Sequence, residues 1–501
     1  MAENAANSLK QELLENAPSE QPGGSAAPEL ARTVERATGE NAFLCYQCGR
    51  CSSGCPVVDH MDAMPNQVMR AVQLNDRSIL QSKSIWLCAS CQTCTTRCPQ
   101  NLDVAAIMDA LRIEAKASGL PPAIPDVDLF SRLFLKNVDL FGRVYELGLM
   151  ASMNMMSGKP FANMALGGGM LKRGKLKFLP SVTRPPKQVE TVAAHPNTVA
   201  YYPGCSLHST AREYDQSIRQ VMESVDLELV EPPGWVCCGS SPAHTSDPKR
   251  ATLLPVQNLQ TVERMGLDAV TAPCSACFAR MKTAAHTVAH NPEMAREVER
   301  ETGSSYGGSV KVKSLVETLL ERAGPEKVAA QVKKKLTGLK VACYYGCLMT
   351  RPPQVLEAEH PEYPTQIEEL IAPLGAETVD WSYKTDCCGG TLGLTQTNIA
   401  LEMTAKILRN ARDCGADIVV TACPLCHVNL DARQSQIGLD FQMPVLYLTQ
   451  LMALAFGCDE KETGLKKNFV DPKPVLTQAG ERKTEDNKSA AAAAAPLPVG
   501  H

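Results

Sequence analysis

The sequence predicts a multidomain chain: a helical, cysteine-rich N-terminal domain followed by two duplicated Rossmann-like α/β domains with parallel sheets. Three observations predict it. Early cysteines fall into two regular runs set between helical patterns. From residue 197 onward the chain repeats itself over a domain-sized length. Within each copy, short apolar strands alternate with longer helical stretches, the pattern of a parallel sheet with covering helices.

Composition narrows the function before any motif is read. The chain has 501 residues, 44% of them hydrophobic, so several cores can be buried. A net charge of −4 gives no nucleic-acid footprint, and no nucleic-acid partner is expected. The informative number is 21 cysteines. The N-terminal stretch MAENAANSLKQELLENAPSEQPGG lacks the basic-then-apolar run of an export signal. Cysteines in such a chain are expected to be metal ligands or redox groups in a reducing cytoplasm, not a disulfide framework. A membrane-spanning helix needs about 20 apolar residues. The longest candidate, PVLYLTQLMALAFG, is shorter, has Thr449 and Gln450 in its middle, and reads as a buried helix closed by Gly457.

Taken in order, residues 1–37 and 458–501 read as disordered or weakly helical tails, the second ending in Ala490–Ala495 and a Pro-containing tip. Residues 38–125 form the first cysteine domain, with helical patterns at Asn66–Leu74 and Val104–Ala115. A connector, 126–196, follows. Its stretch VDLFSRLFLKNVDLFGRVYELGLMASM reads as one or two amphipathic helices, and GGGMLKRGKLKFLP as an irregular basic stretch, a solvated loop in preference to a docking patch. The duplicated domains are 197–338 and 339–457. TVAYYPGC pairs with LKVACYYGC, LELVEPPGWVCCG with AETVDWSYKTDCCGG, and LDAVTAPCSAC with ADIVVTACPLC. Helices ending at Gly266 and Gly415 precede the last pair. Matching cysteines lie 142, 150 and 149 residues apart, which makes this a domain duplication and not a solenoid. Each cysteine group follows a strand's C-terminal end, where ligand sites of open α/β sheets lie.

The first group is Cys45-x2-Cys48-x2-Cys51-x3-Cys55-Pro56, then Cys88-x2-Cys91-x2-Cys94-x3-Cys98-Pro99. Three thiolates at i, i+3 and i+6 can wrap one cubane, with the fourth ligand coming from elsewhere. In two-cluster ferredoxins the fourth cysteine of each run serves the other cluster. By that rule Cys45, Cys48, Cys51 and Cys98 hold one [4Fe–4S] cube, and Cys88, Cys91, Cys94 and Cys55 hold the second. Zinc sites normally use paired C-x2-C knuckles instead. The duplicated sets are Cys205, Cys237, Cys238, Cys274, Cys277 and Cys347, Cys387, Cys388, Cys423, Cys426. Five cysteines are one too many for a simple cube or a tetrahedral zinc, so a cluster of unusual shape is expected, with a zinc or structural site as the plainer reading.

ENAFLCYQCGRCSSGCP and WLCASCQTCTTRCP resemble the ferredoxin-like iron–sulfur subunit of heterodisulfide reductases. YYPGCSLH, PPGWVCCGSS, APCSAC, TDCCGG and ACPLCHVNLD resemble the catalytic subunit of the same enzymes, with its two cysteine-rich CCG domains. The resemblance, to a fusion of those two subunits, covers roughly residues 38–457. It implies two cubane clusters in a ferredoxin domain and one non-cubane [4Fe–4S] cluster in each CCG domain. It also implies a disulfide or thiol substrate, like the heterodisulfide of coenzymes M and B, reduced between the non-cubane clusters in two one-electron steps. Gly167–Gly169 do not form a nucleotide fingerprint. A separate flavoprotein subunit, like the one in heterodisulfide reductases, is therefore the expected donor. Electron bifurcation would be a source of reducing power, with a hydrogenase, formate dehydrogenase or other donor upstream. The competing reading is a relay with no disulfide substrate, in a bifurcating or acyl-CoA reductase complex or an enzyme like glycolate oxidase or glycerol-3-phosphate dehydrogenase.

Other residues support smaller claims. Cys343 and Cys414 read as packing residues, and Cys458 belongs to no set. His208, His244 and His427 follow cluster cysteines and could give protons to departing thiolates; the plainer reading is a hydrogen-bonded loop histidine. His286 and His290, one helical turn apart, could clasp a metal but lack a third ligand nearby.

Overall fold

A computed structural model describes residues 29–193 and 195–479. The first cysteine domain is built from α1 (Glu29–Thr38), α2 (Pro65–Gln73) and α3 (Val104–Ala117), joined by short helical turns and loops. Asp103 caps α3 by accepting from Ala106 N at 2.9 Å. Helix α1 corrects the expected N-terminal tail: Leu30, Ala31 and Val34 are buried in the same core as Val68, Met69, Ile107 and Leu111. Apolar residues at i and i+4 give one face for burial, which composition alone did not show.

The connector holds α4 (Pro125–Phe141), α5 (Glu146–Met156) and α6 (Met164–Lys172). Pro125 starts α4 and Gly142, at φ 75°, ends it. The basic stretch read as an irregular loop is partly helical, because α6 spans the three glycines. Leu166 and Met170 pack with Leu176 and Ala432, and this burial outweighs the poor helix propensity of glycine.

The duplicated domains follow as expected. The first holds β1 (Thr198–Tyr201), α7 (Arg212–Ser224), β2 (Glu228–Val230), α8 (Pro248–Arg264), β3 (Ala269–Ala272), α9 (Ser275–His290) and β4 (Lys311–Ser314). The second holds β5 (Lys340–Tyr344), β6 (Glu377–Thr378), α10 (Thr397–Asp413), β7 (Ile418–Thr421), α11 (Pro424–Ala432), β8 (Val445–Tyr447) and α12 (Leu448–Ala455). All pairings are parallel, with strand orders β2-β1-β3-β4 and β6-β5-β7-β8. The stretch read as one buried helix is instead strand β8 followed by α12.

The two copies share one core. Tyr201, Tyr214 and Ile218 of the first copy pack in one cluster with Val341, Val420 and Leu451 of the second. Tyr214 stacks on Tyr447 at 4.0 Å, and Ser217 bonds Thr449 at 2.7 Å. The expected C-terminal tail is also corrected through residue 479, since Leu465, Val470 and Ala479 are buried. The Asp431 carboxylate anchors it by accepting from Phe469 N and Val470 N at 2.7 and 3.0 Å. Ala490–Ala495 lie outside the described residues.

Candidate metal centres

The two ferredoxin-type runs fold alike. In each, a residue in the left-handed region (Gly49 at φ 78°, Gln92 at φ 61°) precedes a helical turn, Arg50–Ser53 or Thr93–Thr96. Each turn carries its run's third cysteine, Cys51 or Cys94, back over the loop. Cys45 and Cys48 are the thiol neighbours of Cys51. Cys55 crosses over: its neighbours include Cys91 and Cys88, and Cys94 in turn has Cys88, Cys91 and Cys55 around it. Cys98 packs against the same core as Cys45 and Cys51. Buried Arg112 secures the second loop by donating to the carbonyls of Ile85 and, at 2.6 Å, Cys88. Asp62, which sequence reasoning missed, accepts from the Ser82 hydroxyl at 2.5 Å, the Ser84 hydroxyl at 2.7 Å and Lys83 N at 2.9 Å. Burial opposes its ionisation, yet these bonds outweigh it and hold the carboxyl below its usual range.

Each α/β copy repeats one thiol arrangement. The strand ends deliver Tyr202 and Tyr344, whose hydroxyls donate to the carbonyls just before the cysteine pairs: Val236 O at 2.7 Å and Asp386 O at 2.6 Å. Tyr202 is surrounded by Cys238, Cys277, Cys237 and Cys205, and Tyr344 by Cys426, Cys388, Cys387 and Cys347. Cys274 and Cys423 occupy the N-cap positions of α9 and α11, so Cys277 and Cys426 fall in the first turns. A helix N-terminus favours thiolate. Cys238 Sγ lies 3.5 Å from Cys277 Sγ, and Cys388 Sγ 3.5 Å from Cys426 Sγ. Gly204 and Gly346 sit at φ +72° and +69°, and a Cβ there would stand 3.0 and 2.9 Å from the sulfurs of Cys277 and Cys426. Only glycine lets the backbone come so close to sulfur.

These donors fit iron–sulfur clusters. They are sulfur-only, clustered and mostly buried. Burial pushes the thiols of Cys51, Cys55 and Cys94 up, and that of Cys88 to about 11 even with Arg112 beside it. Cationic iron would hold the same sulfurs as thiolates. Polar groups reach several of them: Gln47 Nε2 to Cys45 Sγ at 3.4 Å, Val144 N to Cys205 Sγ at 3.4 Å and Asn429 Nδ2 to Cys388 Sγ at 3.6 Å. Among the described residues no group of three or more His, Cys, Asp or Glu closes around a single metal ion.

The sets touch one another. The Cys91 thiol, held down by its interaction with Cys387, joins the ferredoxin domain to the second copy. Cys274 and Cys423 meet between the copies. Beside that junction is a mostly apolar cavity of about 190 Å³, lined by Cys205, Cys237, Cys238, Cys274 and Cys277 and by Leu394, Leu425 and Val428 from the second copy. Phe134, Leu149, Leu166 and Met170 of the connector complete its wall, so the connector is part of the site. Two further wall residues were missed by sequence reasoning, since nothing local marks them. Glu146, in the first turn of α5, has its carboxyl pushed up to about 7 by burial, against the pull of Ser209, Lys177 and Arg212. Arg433, also on the wall, is buried and, among the described residues, bonded only to neutral groups: Asn429, Asn163, Gln436 and Gly393 O.

None of the histidines considered as proton donors lines this cavity. His427 stacks on Tyr447 with Nε2 on Val445 O at 3.0 Å, and burial lowers its pKa well below the usual value. His244 pairs with Asp109 at 2.7 Å, and His208 with Glu231 at 3.2 Å. These are structural partnerships set by neighbours distant in sequence. His286 and His290 stack on each other at 4.1 Å, and His290 Nδ1 bonds the carbonyl of His286. Cys343 is buried in the core, whereas Cys414 is exposed at the end of α10, which corrects its reading as a packing residue.

Comparison with known proteins places these sites in a family. The cysteine-rich domain family matches residues 199–282 and again 341–431, and the 4Fe-4S dicluster domain family matches 41–102. The 8-methylmenaquinol:fumarate reductase membrane anchor subunit of Wolinella succinogenes is 34% identical over 54% of this chain and 96% of its own length. One subunit of the ferredoxin/F(420)H(2)-dependent CoB-CoM heterodisulfide reductase of Methanosarcina acetivorans is 30% identical over 54% of this chain and 93% of its own. The chain belongs to the heterodisulfide reductase family of CCG-domain subunits. Ahead of the two CCG domains, this heterodisulfide reductase-like chain carries a segment similar to a different subunit type. That second relative, from a ferredoxin:CoB-CoM heterodisulfide reductase of M. acetivorans, is 41% identical over 18% of this chain and 38% of its own length. A hypothetical protein from Helicobacter pylori shares the fold, with a TM-score of 0.57 at 13% identity over 93% of this chain and 79% of its own. This fusion of two heterodisulfide reductase subunit types is thus an iron–sulfur electron-transfer protein of an oxidoreductase with partner subunits. Among the described residues no helix is long and apolar enough to cross a membrane.

Proposed function

We propose that this chain is the iron–sulfur subunit of a heterodisulfide reductase-like complex that reduces a disulfide in the cavity between its CCG domains. Cys45, Cys48, Cys51 and Cys98 hold one cubane cluster, and Cys88, Cys91, Cys94 and Cys55 the other. Cys205, Cys237, Cys238, Cys274 and Cys277 hold one non-cubane cluster, and Cys347, Cys387, Cys388, Cys423 and Cys426 its counterpart. Bound there, the clusters supply one-electron carriers, and a pair of them matches the two electrons that a disulfide takes.

The observation that carries this reading is a pair of thiol contacts between the sets, Cys91 with Cys387 and Cys423 with Cys274, the second on the cavity wall. Gly204 and Gly346 keep the backbone clear of the sulfurs, and the apolar wall of Phe134, Leu149, Leu166 and Met170 excludes water from a cleaving S–S bond. Electrons come from a separate flavoprotein subunit, because the three consecutive glycines lie inside α6 and form no phosphate loop. We place the complex on the cytoplasmic side.

The test is anaerobic purification, a count of iron and sulfide, and electron paramagnetic resonance of oxidised protein titrated with thiols. About 16 irons per chain are expected for two cubanes and two four-iron non-cubanes. A signal that appears only with a particular thiol supports disulfide chemistry. About 8 irons with bound zinc would remove the non-cubane sites. Full iron with no response to any thiol would leave the relay reading in its place.

A further inference from the structure

The connector has a second face that the cavity does not use. Of α5, Leu149 and Met153 turn inward, while Met155 and Met156 are 76% and 61% exposed. Of α6, Leu166 and Met170 turn inward and Met164 and Leu171 outward. The loops on either side of α6 add Phe161, Phe178, Leu179 and Val182, which are 78%, 68%, 79% and 67% exposed. Isolated exposed apolar residues need no explanation, but such a concentration marks a binding surface.

Hydrogen bonds to backbone carbonyls stitch the segment together. Tyr145 donates to Phe178 O at 2.5 Å, and Thr183 N to Phe141 O at 2.9 Å, which brings Val182 and Phe178 beside the end of α4. Asn154 Nδ2 donates to Ala162 O at 2.7 Å and draws the Phe161 loop to the end of α5. The exposed side chains are therefore held on an ordered platform.

Charge selects the occupant. From Lys159 to Lys187 there is no Asp or Glu, although the whole chain has a net charge of −4. Lys172, Arg184 and Lys187 are exposed, and Lys177 is partly so. Among the described residues Arg184 donates only to backbone carbonyls, those of Thr183, Asp139 and Leu140. Lys159 has a carboxylate partner in Asp126, and buried Lys175 one in Glu213, so these two add little to the field. Methionine, phenylalanine and leucine projecting beside unneutralised lysine and arginine match an interface lying on anionic headgroups, with the apolar side chains reaching the acyl boundary.

We propose that the connector face formed by Met155, Met156, Phe161, Phe178, Leu179 and Val182 docks this protein on an anionic lipid surface, as a peripheral contact without a spanning helix. Docking there sets the roof of the cavity, made by the inner faces of α5 and α6, against the lipid. The surface stands independently of which substrate the cavity takes.

Flotation of the intact, cluster-loaded chain with lipid vesicles tests it. Binding to phosphatidylglycerol-containing vesicles is expected at low salt, with at least tenfold weaker binding to pure phosphatidylcholine and progressive release as salt rises. F161S/F178S/L179S is expected to lower binding at least tenfold with iron content unchanged, and K172Q/K187Q to lower it less and flatten the salt dependence. No binding of the wild-type chain at low salt would overturn the proposal. So would equal binding of the triple variant, or a stable complex with a protein partner through the same residues and no affinity for vesicles.

Discussion

The two CCG domains are the same device with different neighbours. Tyr202 and Tyr344, Gly204 and Gly346, and the sulfur pairs Cys238–Cys277 and Cys388–Cys426 superimpose in role, down to equal 3.5 Å sulfur separations. The second copy faces the ferredoxin domain: Cys387 meets Cys91, buried Arg351 donates to Thr93 at 2.7 Å, and Arg97 pairs with Glu362 at 2.5 Å. The first copy faces the connector: Val144 N reaches Cys205, and Phe134 and Leu149 line the cavity beside its cysteines. Duplication kept the thiol set, and the fused segments set one copy against the ferredoxin-like domain and the other against the connector and its cavity. The asymmetry lies in what surrounds the repeats.

The largest expected effect tests the equivalence of the copies. G204A and G346A each force a Cβ to about 3 Å from a ligand sulfur at a left-handed φ, which costs about 1–2 kcal/mol before the clash is counted. Each is expected to lose about 4 of roughly 16 irons. Full iron in either variant would break the comparison.

A smaller effect tests the input side. Arg351 binds Thr93, the carbonyl and hydroxyl of Thr385, and Glu362. R351M is expected to cost roughly 2–3 kcal/mol in thermal unfolding, because it leaves buried acceptors unpaired. It is also expected to slow reduction of the CCG clusters, with the ferredoxin clusters still reducible, in stopped-flow traces. Equal slowing of both would place the input elsewhere.

On the cavity side, Glu146 makes stability depend on pH. Burial raises its carboxyl from 4.5 to about 7 in the folded chain. Its contribution is therefore full below pH 4.5 and is lost as pH rises through about 7. E146Q is expected to melt like the wild type in acid and at a higher temperature above pH 7, and a parallel offset at every pH would contradict it. The smallest effect belongs to Arg97 and Glu362, whose side chains are 39% and 40% exposed. R97Q, which leaves the Glu362 pair with buried Arg351 in place, is expected to cost under about 1 kcal/mol through this surface pair, less at high salt, when melting is followed against ionic strength.

Much of this was legible in order along the chain. Cysteine spacing exposed all three thiol groups, and the strand-then-cysteine repeat exposed two parallel sheets, because both are local patterns that repeat at short range. Helices α1 and α6 were missed because their burial depends on residues such as Val68 and Ala432 far along the chain. Cys343 was readable as a core residue from its place in a strand, but His427 was not readable as the stacking partner of Tyr447.

By itself, then, the sequence determined the cysteine spacings, the duplication and the family, since these are local patterns of particular residue types. Only the tertiary structure decided that Cys91 meets Cys387, that Cys274 meets Cys423, and that Glu146 and Arg433 share a cavity with five cysteines. Those contacts join residues as much as 296 positions apart, Cys91 and Cys387, and side-chain packing between domains is not written in any local spacing.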